Sequence, residues 1–326
     1  MHSVRRRLVS FGLAVTAALA TLGSARSAAA FCRATTCNPA KQTCTHDGAG
    51  CSADGLPVFW AGSCITISVQ ADGAPHAGVD FDAAQASLQR AVEAWTQVEC
   101  PGGGHPSLHV ELNGPVTCSE AEYNREHKNA NIIIFRDQMW PYAGISQDTL
   151  GYTNLNFNPD TGELYDADIE LNAVDEPLAV GRKPTASEVD LDSVMTHELG
   201  HLLGLDHSRD VAATMVGGYQ NGSIELRTPA ADDIAGICAL YPPQRQASDS
   251  SCEPRHGFSE QCAADQTEDI VPPGAAGAGG DDSNDTSSGC SFTLAVAPLD
   301  GAAQLAALGA ALLLSKRAAR RRRRWL

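Results

Sequence analysis

The stretch HELGHLLGLDH, residues 197–207, sets three histidines and one glutamate within eleven positions. It closes the run EVDLDSVMTHELGHLLGL, where Val189, Val194, Leu199, Leu202 and Leu203 give an apolar helical pattern and Gly204 supplies a stop. His197 and His201 are four apart, so a helix projects both from one face about one turn apart. Two imidazoles placed this way can share one tetrahedral Zn²⁺, and Glu198 beside the first can reach a water in the metal's open position. Gly204 lets the chain leave the helix sharply, so His207, six residues after His201, can return as a third ligand. The plain alternative is two exposed helical histidines and an unrelated loop histidine, and the continuation through Gly204 to His207 argues against it. His46, His76, His105, His109, His127 and His256 share no such spacing and read as surface residues.

Outward from this helix, the pattern alternates between strands and helices. SCITISVQ (63–70) alternates apolar and polar residues with β-branched Ile65, Thr66, Ile67 and Val69, which predicts a strand. VDFDAAQASLQRAVEAWTQV repeats Phe81, Ala84, Leu88, Ala91, Val92 and Trp95 at three and four, which predicts an amphipathic helix capped near Asp80 or Asp82. SLHVEL (107–112) and NIIIF (131–135) read as strands, the second apolar enough to be central. In FNPDTGELYDADIELN (157–172) the residues Pro159 to Gly162 form a hairpin turn and Leu164 to Leu171 its returning strand. PAADDIAGICALY (229–241) makes a last helix, closed by Pro242-Pro243.

Both ends of the 326-residue chain read as addresses, not fold. Arg5 to Arg7, an apolar stretch from Leu8 to Leu22 and small Ser27 to Ala30 form a secretory signal segment (1–30), cut after Ala30. At the other end, Cys290, a mostly apolar stretch to Ser315 and the block Arg320 to Arg324 would give a weak membrane span with a basic flank. This end (290–326) resembles tripartite C-terminal sorting signals of the MYXO-CTERM type, which would make Cys290 a processing or attachment point and confine membrane contact to this segment. Without the two ends, 12 Lys and Arg face 38 Asp and Glu, a net charge of −26. So acidic a body excludes nucleic acid and anionic lipid as partners and favours calcium or cationic substrates. Between the ends lie ten cysteines: Cys32, Cys37, Cys44, Cys51, Cys64, Cys100, Cys118, Cys238, Cys252 and Cys262. In an exported chain they read as up to five disulfides with no derivable pairing, and the first four lack the C-x-x-C pairs of a zinc ribbon. The body divides into a Cys-rich leader (31–55), one core-forming domain (56–243) and a Ser/Asp/Gly/Pro-rich linker (244–289), in which Cys252 and Cys262 are expected to tie a small loop.

HELGHLLGLDHS resembles the metzincin zinc signature HExxHxxGxxH, and Ser208 after the third histidine is the matrixin variant of it. ATMVGGY is similar to the family's Met-turn, with Met215 and Tyr219, although Gly217-Gly218 stand where the family commonly has a proline. LRTPAADDIAGICALY resembles its closing helix, with Asp232-Asp233 tying that helix to the Met-turn. The resemblance implies an α+β, metzincin-like domain: a twisted, mostly parallel sheet, a long N-terminal helix, an active-site helix and a C-terminal helix. It further implies a monomeric zinc endopeptidase acting on protein or peptide substrates. His197, His201 and His207 would be metal ligands and Glu198 the general base. Met215 would be an apolar floor, Tyr219 and the glycines would line the pocket beyond the cleaved bond, and the strand around Ala167 to Asn172 would pair its edge with an extended substrate. No propeptide cysteine switch is visible, so a leader thiolate on the zinc is weighed against disulfide bonding, which is favoured. The family's structural-zinc histidines are missing too. Asp160, Asp166, Asp168 and Glu170 offer hard oxygen ligands for Ca²⁺, or else form a solvated strand edge. The rival from another class is a non-catalytic surface binding module with structural zinc, against which the intact Glu198 argues.

Overall fold

The computed structural model describes residues 30–38, 42–48, 50–140, 146–174, 177–263, 270–271, 286–289 and 322–323. Residues 1–29 of the predicted signal segment, Cys290 and the apolar part of the sorting signal lie outside the described residues. No helix among the described residues is long and apolar enough to cross a membrane. The elements used below are β1 (Cys32–Arg33), β2 (Cys64–Val69), α1 (Phe81–Thr96), β3 (His109–Leu112), β4 (Ile132–Arg136), β5 (Gly151–Phe157), β6 (Leu164–Asn172), α2 (Leu191–Leu202), β7 (Leu205–Asp206) and α3 (Ala231–Leu240).

Six strands form the main sheet, the five labelled ones in the order β3-β2-β4-β6-β5 and Thr286–Gly289 outside β5. The first four run parallel and β5 is antiparallel to β6. NIIIF is central as expected, with β2 and β6 on either side. Alternation along it sends Ile133 and Phe135 to the helix-covered face and Ile132 and Ile134 to the opposite one. On the first face α1 and α2 pack together through Leu88, Val92, Trp95, Leu199 and Leu202, all but Val92 fully buried. Each such side chain contributes roughly 1.5–3 kcal/mol of burial. Asp80 caps α1, its carboxylate accepting the Ala83 N–H at 2.8 Å.

Two expectations are corrected. The strand over Ala167 to Asn172 is not an edge: β6 lies inside the sheet, bonded to β4 on one side and β5 on the other. The hairpin's outgoing arm is the outer strand and runs back to Gly151, farther than its Asn-rich sequence suggests. Thr286–Gly289 pairs with the outer side of β5 at Phe157 to Asn154, and the segment Gly151 to Thr153 has no strand on that side among the described residues.

All ten cysteines are paired: Cys32–Cys51, Cys37–Cys44, Cys64–Cys252, Cys100–Cys238 and Cys118–Cys262. Cys252 and Cys262 thus do not close a small loop together but strap residues 245–263 onto the domain. Arg245 adds hydrogen bonds to the carbonyls of Trp60, Ala61 and Gly62. This segment has few large apolar side chains, so covalent and charged contacts hold it where packing does not. Together with residues 113–131 it covers the sheet face that carries Ile132 and Ile134, around Val116, Ala121, Cys118 and Cys262.

Candidate functional site

Every residue of α2 is buried, so its polar groups all need partners inside the protein. Asp190 caps the helix, accepting from the Ser193 N–H at 3.0 Å and its hydroxyl at 2.7 Å, and Arg227 grips the same carboxylate through Nε and Nη2. Asp192, two residues on, accepts from Ser87 and from both Nε and Nη2 of Arg90 on α1. At the far end, where helix carbonyls lose their own partners, the Trp60 indole donates to Leu202 O and the Tyr241 hydroxyl to Leu203 O. The Trp95 indole donates to Thr196 O, beside the first histidine. Gly204 then turns the chain at a φ of 95°, in the left-handed region, and a Cβ there would lie 2.7 Å from Val58 O.

That turn carries His207 back to the helix. The Nε2 atoms of His197 and His201 are 3.1 Å apart, and those of His201 and His207 3.2 Å. His197 Nδ1 lies 2.7 Å from Thr214 O and His201 Nδ1 2.9 Å from Leu205 O, so both rings carry their proton on Nδ1. Their Nε2 atoms then face each other as lone pairs, a repulsive contact unless a cation sits among them. Tetrahedral Zn²⁺ with Zn–N of about 2.0–2.1 Å sets its nitrogen donors about 3.3–3.4 Å apart, which matches the observed spacing. Burial drives His201 down to about 4 and His197 and His207 well below the ordinary histidine range; for His197 and His207 the neighbouring imidazoles add to it. All three are neutral at pH 7, the form that binds metal. Among the described residues no fourth His, Cys, Asp or Glu joins the group.

Glu198 is fully buried next to His197. One carboxylate oxygen accepts the Thr153 hydroxyl at 2.7 Å and the other has no partner. Burial pushes its carboxyl up to about 8 against the lowering effect of that hydrogen bond. Gly151 on β5 backs onto the same carboxylate so closely that a Cβ would fall 2.5 Å from Oε1. Met215 lies beneath α2 against Gly200, and Gly217 passes under the His207 ring, where a Cβ would sit 3.3 Å from Nδ1. Asp233 ties α3 to this turn by accepting the Thr214 and Met215 N–H groups. Asp232 makes a different tie: it accepts from the Ser208 hydroxyl and from the backbone N–H of Ala30 and Phe31. Tyr219 is buried, its hydroxyl donating to Ser223 O and accepting the Asp190 N–H.

The matrixin family model matches residues 60–242, more than half of the chain. The chain is a matrixin. Similar curated proteins include Metalloendoproteinase 1-MMP of Arabidopsis thaliana, 39% identical over 107 residues, which are 32% of this chain and 26% of the relative. Metalloendoproteinase 1 of Glycine max is 36% identical over 137 residues, 39% of this chain and 41% of that one. Matrix metalloproteinase-16 of Homo sapiens is 42% identical over 160 residues, 48% of this chain and 23% of that one. This matrixin therefore spans less than half the length of the relatives it matches.

The four polar residues singled out in the matrixin signature, His197, Glu198, His201 and His207, come together, with Met215 packed below them. Tyr219 buttresses the start of α2 through Asp190. Of the calcium candidates, Asp160 is exposed in the hairpin turn and apart from the rest, and Glu170 is engaged by Arg136. Asp166 and Asp168 are fully buried, contrary to a solvated edge. Sequence reasoning missed Thr153 and the carbonyls of Thr214 and Leu205. Nothing local marks a threonine as the partner of a residue 45 positions away, and a carbonyl has no sequence signature at all.

Proposed function

We propose that this matrixin is a zinc endopeptidase that hydrolyses internal peptide bonds of extracellular proteins, with Glu198 as general base. One observation carries the reading: three neutral imidazoles bring their Nε2 atoms to one point, with no fourth protein donor among the described residues and a buried carboxylate adjacent. Structural zinc sites are closed by four protein ligands, whereas catalytic sites keep a position open. Zn²⁺ held there supplies Lewis acidity, polarising a carbonyl and making water nucleophilic near neutral pH. The remaining work falls to the chain. Glu198 takes the proton of the attacking water and delivers it to the leaving amine. Thr153 fixes which carboxylate oxygen faces the reaction. The outer side of β5 at Gly151 to Thr153 pairs with the extended peptide. Met215 gives the ligands an apolar floor, and Tyr219 with Gly217-Gly218 bounds the pocket past the cleaved bond.

The test is cleavage of mixed unfolded proteins by the purified protein. Wild type should cleave, chelation should stop it, and zinc should restore it. Glu198→Gln should bind zinc as wild type does and lose at least a thousandfold in kcat. Equal cleavage by Glu198→Gln removes the reading. Tight zinc binding without turnover by wild type favours a binding module.

The same reading extends to cellular address. The predicted cut after Ala30, the tail at 290–326 and five disulfides support an exported protein, tethered or released after processing at Cys290, and we propose that it acts as a monomer. We also propose that calcium, where bound, uses Asp166 and Asp168 with Asn154 and Asn156 across the strand pair, not Asp160 or Glu170. The support is that Asn154, fully buried, has neither side-chain oxygen nor nitrogen partnered, and Asp166 has a free oxygen. Calorimetric titration of the zinc-loaded protein with Ca²⁺ should show one site that Asp166→Asn removes; no heat with wild type rejects it.

A further inference from the structure

The histidines of the site are not equally secured. His197 and His201 stand on a helix buried along its whole length, whereas His207 stands on a short loop beyond Gly204. Beside bonds to the domain itself, such as the Ser208 N–H to Met215 O at 2.7 Å, that loop is held by the Cys-rich leader. β1 pairs antiparallel with β7, Cys32 opposite Asp206 and Arg33 opposite Leu205, so the leader is bonded to the two residues just before His207. Ala34 N–H donates to Gly204 O at 2.9 Å, which secures the turn itself. On the other side of His207, Ser208 shares Asp232 with the backbone nitrogen of Phe31, the first leader residue after the predicted cut. The leader's second arm reaches the same loop, with Gly50 set so close to the Arg209 guanidinium that a Cβ there would overlap it. Cys32–Cys51 joins the two arms, and Cys32 and Ala34 are 3% and 1% exposed, as buried as the domain core.

We propose that the leader is a disulfide-closed brace that positions His207 for zinc, and is not an inhibitory segment. The geometry meets both halves of the statement. Contacts fall on residues 204–206 and 209 directly and on Ser208 through Asp232, on both sides of the ligand. All four leader cysteines are in disulfides, so none offers a thiolate to the metal. Among the described residues no hydrogen bond of the leader reaches Glu198 or β5. Cys37–Cys44 closes a separate loop of seven residues' separation and touches none of this, which makes it an internal control.

The inference rests on the reading of the three histidines as a zinc site, and its test keeps the two apart. Zinc affinity and release rate are measured by competition with a chromophoric chelator, and the Co²⁺-substituted protein is examined by its visible d–d spectrum. The variants are Cys32→Ser/Cys51→Ser, Cys37→Ser/Cys44→Ser and, with every disulfide intact, Asp232→Asn. Loss of the Cys32–Cys51 bridge should weaken zinc by about 10–100-fold, the usual cost of losing a ligand's support, and should alter the Co²⁺ spectrum. Loss of Cys37–Cys44 should leave both unchanged. Asp232→Asn should speed zinc release at least threefold while the unfolding midpoint of the zinc-free protein stays put. Should the Cys32/Cys51 variant fail to fold, Asp232→Asn decides alone. Unchanged zinc affinity in the Cys32/Cys51 variant, unchanged release in Asp232→Asn, or a gain of activity when the Cys32–Cys51 bridge is removed overturns the brace. Failure of wild type to bind zinc overturns the zinc reading instead.

Discussion

Gly200 lies between the two helical histidines, and replacing it by alanine sets two effects against each other. Glycine in a helix interior costs about 1 kcal/mol relative to alanine, so on propensity alone Gly200→Ala should stabilise α2 by that much. Packing acts in the other direction. The new Cβ would overlap Met215 Sδ and come within 2.8 Å of Trp95 Cζ2. Trp95 cannot retreat, being fully buried with its indole bonded to Thr196 O at 2.7 Å. Met215 must therefore move by an ångström or more, to about the 3.5–4.0 Å of an ordinary contact. Its backbone is held by Asp233 and by the Ser208 N–H, so the side chain has to leave its preferred rotamer. Overpacking of this kind costs about 1–3 kcal/mol, which cancels or exceeds the propensity gain. The strain also reaches the proposed ligand His197, since Thr214, the neighbour of Met215, supplies the carbonyl that orients its ring. We expect the zinc-free variant to be up to about 2 kcal/mol less stable in urea denaturation and to bind zinc about tenfold more weakly. A variant that is about 1 kcal/mol more stable than wild type, with unchanged zinc affinity, would refute the argument that this glycine exists to admit Met215 and Trp95.

Thr153→Val removes the only hydrogen bond on the Glu198 carboxylate that lowers its pKa, so that pKa rises; the acid limb of kcat/KM should move to higher pH while zinc affinity holds. Arg227→Met leaves Asp190 buried and without its guanidinium, and thermal unfolding should show a loss of about 2–4 kcal/mol, less than a fully buried pair because Arg227 is 28% exposed. In the zinc-free protein His201 titrates near 4 when folded and 6.5 when unfolded, so the unfolded chain binds the extra proton between those values. Stability should be intact above pH 6.5 and fall by about 2 kcal/mol per such histidine by pH 5, as denaturant midpoints would reveal; a flat profile would mean the rings are not buried neutral.

How much of this is legible in the sequence follows from how local each signal is. The HELGHLLGLDH helix, the Asp80-capped helix and the NIIIF strand carry their period within themselves, and all appear where expected. The candidate histidine site is legible because helical geometry fixes His197 against His201 and because one glycine allows the turn to His207. The strand β5 escapes sequence reading because Asn154 and Asn156 suppress the β signal. Strand order, moreover, depends on which hairpin arm meets β4, and no local pattern states that. Asp166 and Asp168 look solvent-facing in sequence because nothing in their own segment shows that residues 113–131 and 245–263 cover that face. Disulfide pairing is illegible for the same reason: Cys64–Cys252, Cys100–Cys238 and Cys118–Cys262 join residues 188, 138 and 144 apart.

Those three long bridges also decide what happens when the metal is taken away. In small zinc domains the metal supplies the folding energy, and chelation unfolds them. Here the histidines sit beside a core that does not contain them, built from the sheet, α1 and the apolar face of α2. Each bridge closes a loop of more than 100 residues, worth about 4–5 kcal/mol in the chain-entropy model, and less in sum because the loops overlap. Even one such contribution is comparable to the whole net stability of an ordinary domain, about 5–15 kcal/mol. Against this stands the repulsion of the His197 and His201 lone pairs, which His207 relieves when zinc is absent by carrying its proton on Nε2 and donating it to His201, since its Nδ1 has no partner to hold the proton there. Chelation at 25 °C should therefore abolish cleavage yet leave the near-ultraviolet circular dichroism of Trp60 and Trp95 unchanged, and zinc should restore full activity within the mixing time. Loss of that signal on chelation would show that the metal, not the core and its bridges, holds the domain together.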